Sequence, residues 1–341
     1  MKRAKQIALT TARELRLLDA VADSRWRRSR LLILCYHSLS FDEEHLWRRP
    51  LFFTAEEFEA RLKLLQKWRL NVLPLGEAVE RLKAGTLPAR SAALTFDDGS
   101  ADFALLVWPL LKKYSFPGTV YATTYYSEKR RPLFRLMCAY LFWKGRTRVL
   151  EGREFGLEGQ WDLATKEQRV AAEQAFVERA DQDGLDVEGY DRRAAQLAAA
   201  LGVDYDALRQ RRVLQLMTPE EMKAVAADGA DLQLHTHRHR VPRDQALFGR
   251  EIIDNRTRLE RASGRPAVHF CYPSGVYLPE FLPWLDSLGV KTATTTEAGL
   301  ADRSSTPLLL PRVVDTASLS PVELEGWLSG ASHFLPRRRT S

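Results

Sequence analysis

Two carboxylates and two imidazoles stand at spacings that suit metal-assisted hydrolysis. Asp97 and Asp98 are adjacent, between Phe96 and Gly99. Neighbouring residues leaving a strand point to opposite sides, so one carboxylate can hold a metal while the other faces a substrate. Taken alone, Asp-Asp-Gly is also an ordinary turn. His235 and His239 lie four residues apart, which brings both imidazoles to one side of a helical turn or tight loop. Histidine is scarce, seven in the chain, and three of those seven fall between 235 and 239. A surface cluster is the plainer alternative. Two neutral imidazoles and one carboxylate suit Zn, with Co or Ni also compatible, and leave a coordination position open for water.

These residues need a frame that brings them together. From residue 31 onward, short apolar or β-branched runs alternate with helical patterns, the signature of a parallel sheet with crossover helices. The candidate strands are 31–36, 71–75, 92–96, 119–123, 232–235, 268–272, 292–296 and 308–314, enough for a closed or nearly closed barrel. Segments 55–68, 102–114 and 248–262 carry apolar residues at three- and four-residue spacing and read as covering helices. Thr218-Pro219-Glu220-Glu221 is a helix start, with a capping Thr and a carboxylate three residues later. His37, the Asp pair and His235 each follow directly on an apolar strand. In a parallel β/α architecture those positions converge at the carboxyl ends of the strands, where active sites sit.

The stretch 128–212 breaks the rhythm. It is rich in Ala, Glu, Gln and Arg, shows no convincing strand, and reads as a helical insertion with a capping box at Thr165 and Gln168 and a helix stop at Gly202. The division that follows is a basic N-terminal extension (1–30), a barrel (31–127 and 213–318), the insertion (128–212) and a basic C-terminal tail (319–341).

Thr95-Phe96-Asp97-Asp98-Gly99 and His235-Thr236, followed by His239 three residues after the Thr, resemble the two signature motifs of the NodB-type polysaccharide deacetylases. The resemblance covers 31–127 and 213–315, and implies a distorted (β/α) barrel of the α/β class. It further implies Asp97 as general base, Asp98, His235 and His239 as ligands of a divalent metal, and Thr236 as a hydrogen-bonding support of the neighbouring ligand. Many relatives carry an Arg-X-Pro-Tyr motif where this chain has Cys271-Tyr272-Pro273, so the usual Arg tether of the base is missing there. The Asp-Trp and late Leu-X-His motifs cannot be placed either. A subgroup similar to the poly-N-acetylglucosamine deacetylases shares these departures and has a Tyr-His pair on the first strand. Tyr36-His37 matches it, which implies His37 as general acid. By the same resemblance Tyr272 and Pro273 shape the acetyl pocket, and a backbone N–H near Ser274 donates to the oxyanion. Arg312, just after the last apolar run, is placed to approach the base or substrate. An ordinary surface Arg is the alternative for Arg312, and His45 and His237 are expected to face solvent.

The chain has 341 residues, 45% hydrophobic and 28% charged, in the ordinary range of a protein with a sizeable core. Cys35, Cys138 and Cys271 are odd in number and far apart, which fits free thiols better than a disulfide framework or a four-ligand zinc site. No signal-like apolar run opens the sequence, so a cytoplasmic setting is expected. Residues 1–30 hold nine Lys or Arg against three acids, and Arg337, Arg338 and Arg339 close the chain. Solvated tails are one reading of these ends. The other is attraction to anionic lipid or to a lipid-linked substrate at the inner membrane face. Nucleic acid is disfavoured, because no aromatic-interleaved basic stripe accompanies them. The expected function is N-deacetylation of an amino sugar in a polysaccharide or a lipid- or nucleotide-linked precursor. Alternatives are O-acetyl esterase or deformylase action on a saccharide, and carbohydrate binding on a retired barrel.

Overall fold

The computed structural model describes residues 2–335, and the arginines at 337–339 lie outside them. All eight expected strands form, in one parallel sheet: β1 (Leu32–Tyr36), β2 (Asn71–Val72), β3 (Ser91–Phe96), β4 (Thr119–Ala122), β5 (Asp231–Leu234), β6 (His269–Cys271), β7 (Thr292–Thr294) and β8 (Val313–Val314). Their spatial order is β7-β6-β5-β4-β3-β1-β8, with β2 paired to the start of β3. The sheet curls until its ends meet, because Thr294 on β7 pairs with Leu310 just ahead of β8. This is the closed barrel expected from the strand count, in the distorted (β/α) form that the resemblance implies.

The pleat decides which residues enter the barrel. On β1 and β3, Leu32, Leu34, Leu94 and Phe96 join the main core under the helices, whereas Ile33 and Ala93 meet Tyr121, Cys271 and Leu310 in a separate interior cluster. With a side-chain period of two, the inner series on β1 continues from Ile33 to Cys35 and His37, and on β3 from Ala93 to Thr95 and Asp97. In-register pairing of Cys35 with Thr95 places both series at one level of the barrel rim.

The segment 128–212 folds around its own core of Met137, Tyr140, Phe142, Phe176 and Leu197. Its helices are Phe134–Lys144, Lys166–Gln182, Val187–Ala200 and Tyr205–Gln210, with the capping box at Thr165 and Gln168 formed on both sides. It is not purely helical: Val149–Glu151 and Gln160–Asp162 make a short antiparallel hairpin. Strands of three residues are too brief to leave a periodic trace in sequence.

The two ends also differ from free basic tails. Residues 2–28 form three helices whose Leu9, Leu18 and Ala22 are buried, and Arg27 is fully buried with bonds to the carbonyls of Arg30 (2.7 Å) and Ser91 (3.1 Å). Pro321–Ser329 is a helix with a capping box at Ser320 and Glu323, and it buries Leu324, Trp327 and Leu328 against the N-terminal helices. Apolar residues at three- and four-residue spacing dock Leu17–Ala22 and Pro321–Ser329, whereas Lys2–Glu14 is held by Leu9 and by polar contacts. Among the described residues, no helix is long and apolar enough to cross a membrane.

Candidate active site

Asp98 follows β3 in the left-handed region at φ 72°, and Gly99 continues there at 76°. Asp tolerates that conformation, and glycine is required next to it: a Cβ on Gly99 would lie 2.6 Å from the Ala122 Cβ and 2.9 Å from its Cα. The reversal sends the Asp98 side chain outward while Asp97 stays on the inner face. Asp98 Oδ1 then lies 3.2 Å from His235 Nε2 and 3.2 Å from His239 Nε2.

His235 is fixed from behind. Its backbone N–H donates to Asn255 Oδ1 at 2.9 Å, and its Nδ1 lies 2.9 Å from the Cys271 carbonyl oxygen. A carbonyl only accepts, so Nδ1 carries a proton and Nε2 is the nitrogen that faces Asp98. His239 is reached through a loop held in the left-handed region at Thr236 (φ 61°) and at His239 itself (φ 56°). Positive φ is a genuine strain for β-branched Thr236. Its hydroxyl accepts from the Arg240 N–H at 3.0 Å, closing the loop around His239. The support that Thr236 gives is therefore to the loop backbone rather than to a ligand imidazole.

The donor set fits a divalent metal. Asp98, His235 and His239 offer one carboxylate oxygen and two imidazole nitrogens, all within 4.8 Å of one another. Tetrahedral bonds of about 2.0–2.2 Å place ligand atoms roughly 3.3–3.6 Å apart, close to the separations observed. Burial opposes the charge of Asp98, but the two imidazoles hold its carboxyl well below the usual range. Burial likewise works against the His239 cation, and the charge of Asp98 outweighs it and raises the imidazole.

Asp97 lies behind this group. Arg312 meets it with two parallel bonds, Nη1 to Oδ1 and Nη2 to Oδ2, each 2.7 Å. Arg312 is 0% exposed, which excludes both a surface role and direct contact with substrate. It is the Arg tether that seemed absent, supplied from the entry to β8 instead of from β6. Cys271, standing where relatives place their Arg, leaves room for the guanidinium and receives Nη2 at 3.0 Å on its sulfur. Arg312 Nε and Nη1 are bound to the Thr295 carbonyl and Thr95 hydroxyl. Burial pushes the Asp97 carboxyl up, and Arg312 more than reverses this, holding it ionised far below the ordinary range.

His37 flanks the pair: His37, Cys35 and Asp97 offer ligand-type atoms within 4.8 Å of one another, and His37 Nδ1 has no hydrogen-bond partner among the described residues. Beside His37 and Asp98 lies an enclosed pocket of about 50 Å³, walled by Leu39, Phe52, Leu133 and Leu214. Tyr272 and Pro273 do not line it. Tyr272 is buried with its hydroxyl donating to the Leu308 carbonyl at 3.0 Å, and Pro273 is buried beside it. Ser274 is exposed in a tight turn at φ 57°, and no bond engages its N–H among the described residues.

A larger cleft of about 630 Å³ opens from Asp98 and His239. Its near side includes Tyr125, Arg238 and Arg240, and its far side comes from the insertion through Phe134, Tyr190 and Tyr205. The insertion is therefore a wall of the cleft.

Several supporting residues escaped the sequence reading. Asn255 donates to the Ala122 carbonyl at 2.9 Å and to Thr124 Oγ1 at 3.0 Å while holding His235. Its signal was available: it interrupts the apolar stripe of Phe248, Ile252 and Leu259 on one helix. His237 is buried, not solvent-facing, with Nδ1 2.8 Å from Thr124 Oγ1, and burial pushes its imidazole down. His45 is half-buried, with its backbone N–H donating to Ser40 Oγ. Asp102, buried at the rim of the small pocket, accepts from the Leu39 N–H at 2.6 Å.

With this geometry in hand, comparison with protein-family models matches residues 84–148 and 167–293 to the polysaccharide deacetylase family. More than half of the chain is covered, and the chain belongs to that family, whose members are hydrolases of N-acetyl amide bonds on sugars. The matched segments contain Asp97, Asp98, His235 and His239 but neither His37 nor Arg312. No curated protein sequence matches. Among solved structures, the fold is similar to the Streptococcus pyogenes deacetylase PplD, solved with acetate (TM-score 0.58, 19% identity, 90% of this chain and 99% of that one). It is also similar to IcaB from Ammonifex degensii (TM-score 0.55, 18% identity, 88% and 97%). A third is a de-N-acetylase from Aggregatibacter actinomycetemcomitans (TM-score 0.54, 11% identity, 87% and 99%).

Proposed function

We propose that this protein is a divalent-metal-dependent deacetylase that removes the N-acetyl group from an amino sugar lying in the cleft between barrel and insertion. The observation that carries this reading is the convergence of three elements at the carboxyl ends of the barrel strands, joined through shared neighbours within 4.8 Å. These are the ligand set of Asp98, His235 and His239, the clamped carboxylate of Asp97, and the free nitrogen of His37.

Water is a weak nucleophile toward an amide, and an amine is a poor leaving group unless protonated. A divalent metal, most suitably Zn, supplies the first remedy by lowering the pKa of water from 15.7 toward about 7 and polarising the carbonyl. Asp97, kept ionised by Arg312, accepts the proton of the attacking water. His37, whose imidazole stands near Asp97, delivers a proton to the departing sugar nitrogen. The Ser274 N–H is the donor proposed for the oxyanion. The pocket of about 50 Å³ beside Asp98 and His37 takes the acyl group. It is roughly a third of the ~150 Å³ cavity that accepts benzene, so it suits a two-carbon acyl chain. In this division the barrel performs the chemistry and the insertion selects the saccharide, which we place in a polysaccharide or a lipid- or nucleotide-linked precursor.

The test is release of acid from matched N-acetyl, N-formyl and O-acetyl saccharides, with and without chelator. Chelator-sensitive release that is fastest from the N-acetyl substrate, and lost together with bound metal in Asp98→Ala, is expected. Preference for the N-formyl or O-acetyl compound would replace this reading with deformylase or esterase action. Saccharide binding without any release would replace it with a retired barrel.

A further inference from the structure

The helix Lys2–Glu14 packs onto the helix Pro321–Ser329 mainly by its polar side. Gln6 donates to Ser320 Oγ at 3.3 Å and to Glu323 Oε2 at 3.1 Å, Arg13 pairs with Glu325 at 3.2 Å, and Lys5 Nζ sits 5.6 Å above the Trp327 ring. Leu9 is the apolar residue buried at this contact. The outward side carries Ala4, Ile7, Ala8, Thr11 and Leu15, all exposed, with Ile7 at 60% and Leu15 at 64%. Arg16 then turns the chain in the left-handed region at φ 57°, and Leu17 follows at 52% exposure. A surface helix of a globular protein ordinarily shows the reverse, with its apolar stripe inward and its charges out.

Cations frame this apolar face. Arg3 stands at its start and Arg16 at its end, and Arg25 and Arg28 lie further along the chain, on the helix Arg25–Arg28. All four are exposed and form no ion pair among the described residues. The acids of this stretch are Glu14, Asp19 and Asp23, of which Asp19 and Asp23 are paired with Arg90. An apolar stripe edged by arginines is the composition of a helix that lies in the plane of a bilayer surface. A second copy fits poorly: placed parallel or antiparallel on the same face, it would set Arg3 or Arg16 against another arginine.

We propose that the outward face of residues 3–17 docks this enzyme on a lipid bilayer carrying anionic headgroups, with Ile7, Leu15 and Leu17 in the interface and the arginines on the headgroups. The surface is independent of the catalytic reading, since none of these residues touches the cleft.

Vesicle flotation of the full chain tests it, using phosphatidylcholine with and without phosphatidylglycerol. The protein is expected to float only with the anionic lipid, and less as salt is added. Each of Arg3→Gln and Arg16→Gln is expected to lower the partition coefficient about fivefold, since one basic residue near the surface contributes on the order of that factor. Ile7→Ser and Leu15→Ser are each expected to lower it about tenfold through lost apolar burial. All four residues are exposed, so thermal melting and acetate release should be unchanged, which separates lost docking from lost folding. Equal flotation with neutral vesicles, no flotation at all, or Ser variants that float like the parent would overturn the proposal. So would a dimer in sedimentation equilibrium that Leu15→Ser dissociates.

Discussion

Arg312→Met should show how much this fold relies on one buried ion pair. The guanidinium is fully enclosed and makes both of its 2.7 Å bonds to a carboxylate that is itself 5% exposed. Removing it leaves a charged Asp97 buried beside the weak thiols of Cys35 and Cys271, each 3.5 Å from Oδ2, and the imidazoles of His37 and His235, with no permanent cation against it. Breaking a buried pair in this way costs about 3–5 kcal/mol, a large share of the ~5–15 kcal/mol that stabilises a typical domain. The cost depends on pH with a definite sign. In the parent, the folded Asp97 carboxyl lies below its unfolded value, so its contribution is complete above the unfolded pKa and fades as acid brings the pH down toward the folded one. In the variant, burial is opposed only by the weaker influence of His235 and His37 and raises the carboxyl, so stability falls as the pH climbs past about 4. The gap between the two proteins should therefore widen from about pH 4 to pH 7 in urea titrations. Adding Asp97→Asn to Arg312→Met should recover at least ~2 kcal/mol, because no charge is then left unpaired. If Arg312→Met unfolds within ~1 kcal/mol of the parent at neutral pH, or if the second substitution recovers nothing, the clamp does not hold Asp97 as described.

Two further outcomes follow from the same geometry. His37→Gln should retain metal while lowering kcat by about 10²–10⁴-fold; turnover close to that of the parent would assign the acid elsewhere. The Asp102 carboxyl is pushed up to about 7, mainly by burial. A raised carboxyl holds its proton in the fold and loses it in the unfolded chain, so stability declines between about pH 4 and pH 7. Asp102→Asn should then be the more stable protein at about pH 8, by an amount on the order of 4 kcal/mol. A variant no more stable than the parent at that pH would show the carboxyl to be ordinary.

What the amino-acid order settled by itself is local. The short apolar runs marked all eight barrel strands, the Thr-to-Gln and Thr-to-Glu spacings marked helix starts at Thr165 and Thr218, and Asp97-Asp98-Gly99 with His235 and His239 marked the chemistry. Each of these is a pattern over a few residues, governed by pleat, helical turn or capping geometry. The tertiary structure decided the rest. That Arg312 clamps Asp97 across 215 positions follows from the barrel closing at Leu310, which no local spacing encodes. The same closure explains why Cys271 can stand where an Arg was expected, and why Tyr272 faces Leu308 and not the small pocket beside His37. Asn255 and His237 acquired their roles by burial against Thr124 on a neighbouring strand end. The basic N-terminal residues read as a solvated or lipid-seeking tail, yet only their docking onto Pro321–Ser329 showed which side of the helix is spent inside the protein and which is left to meet a partner. Local pattern fixes the conformation a segment prefers, but the face it hides is chosen by the element it packs against.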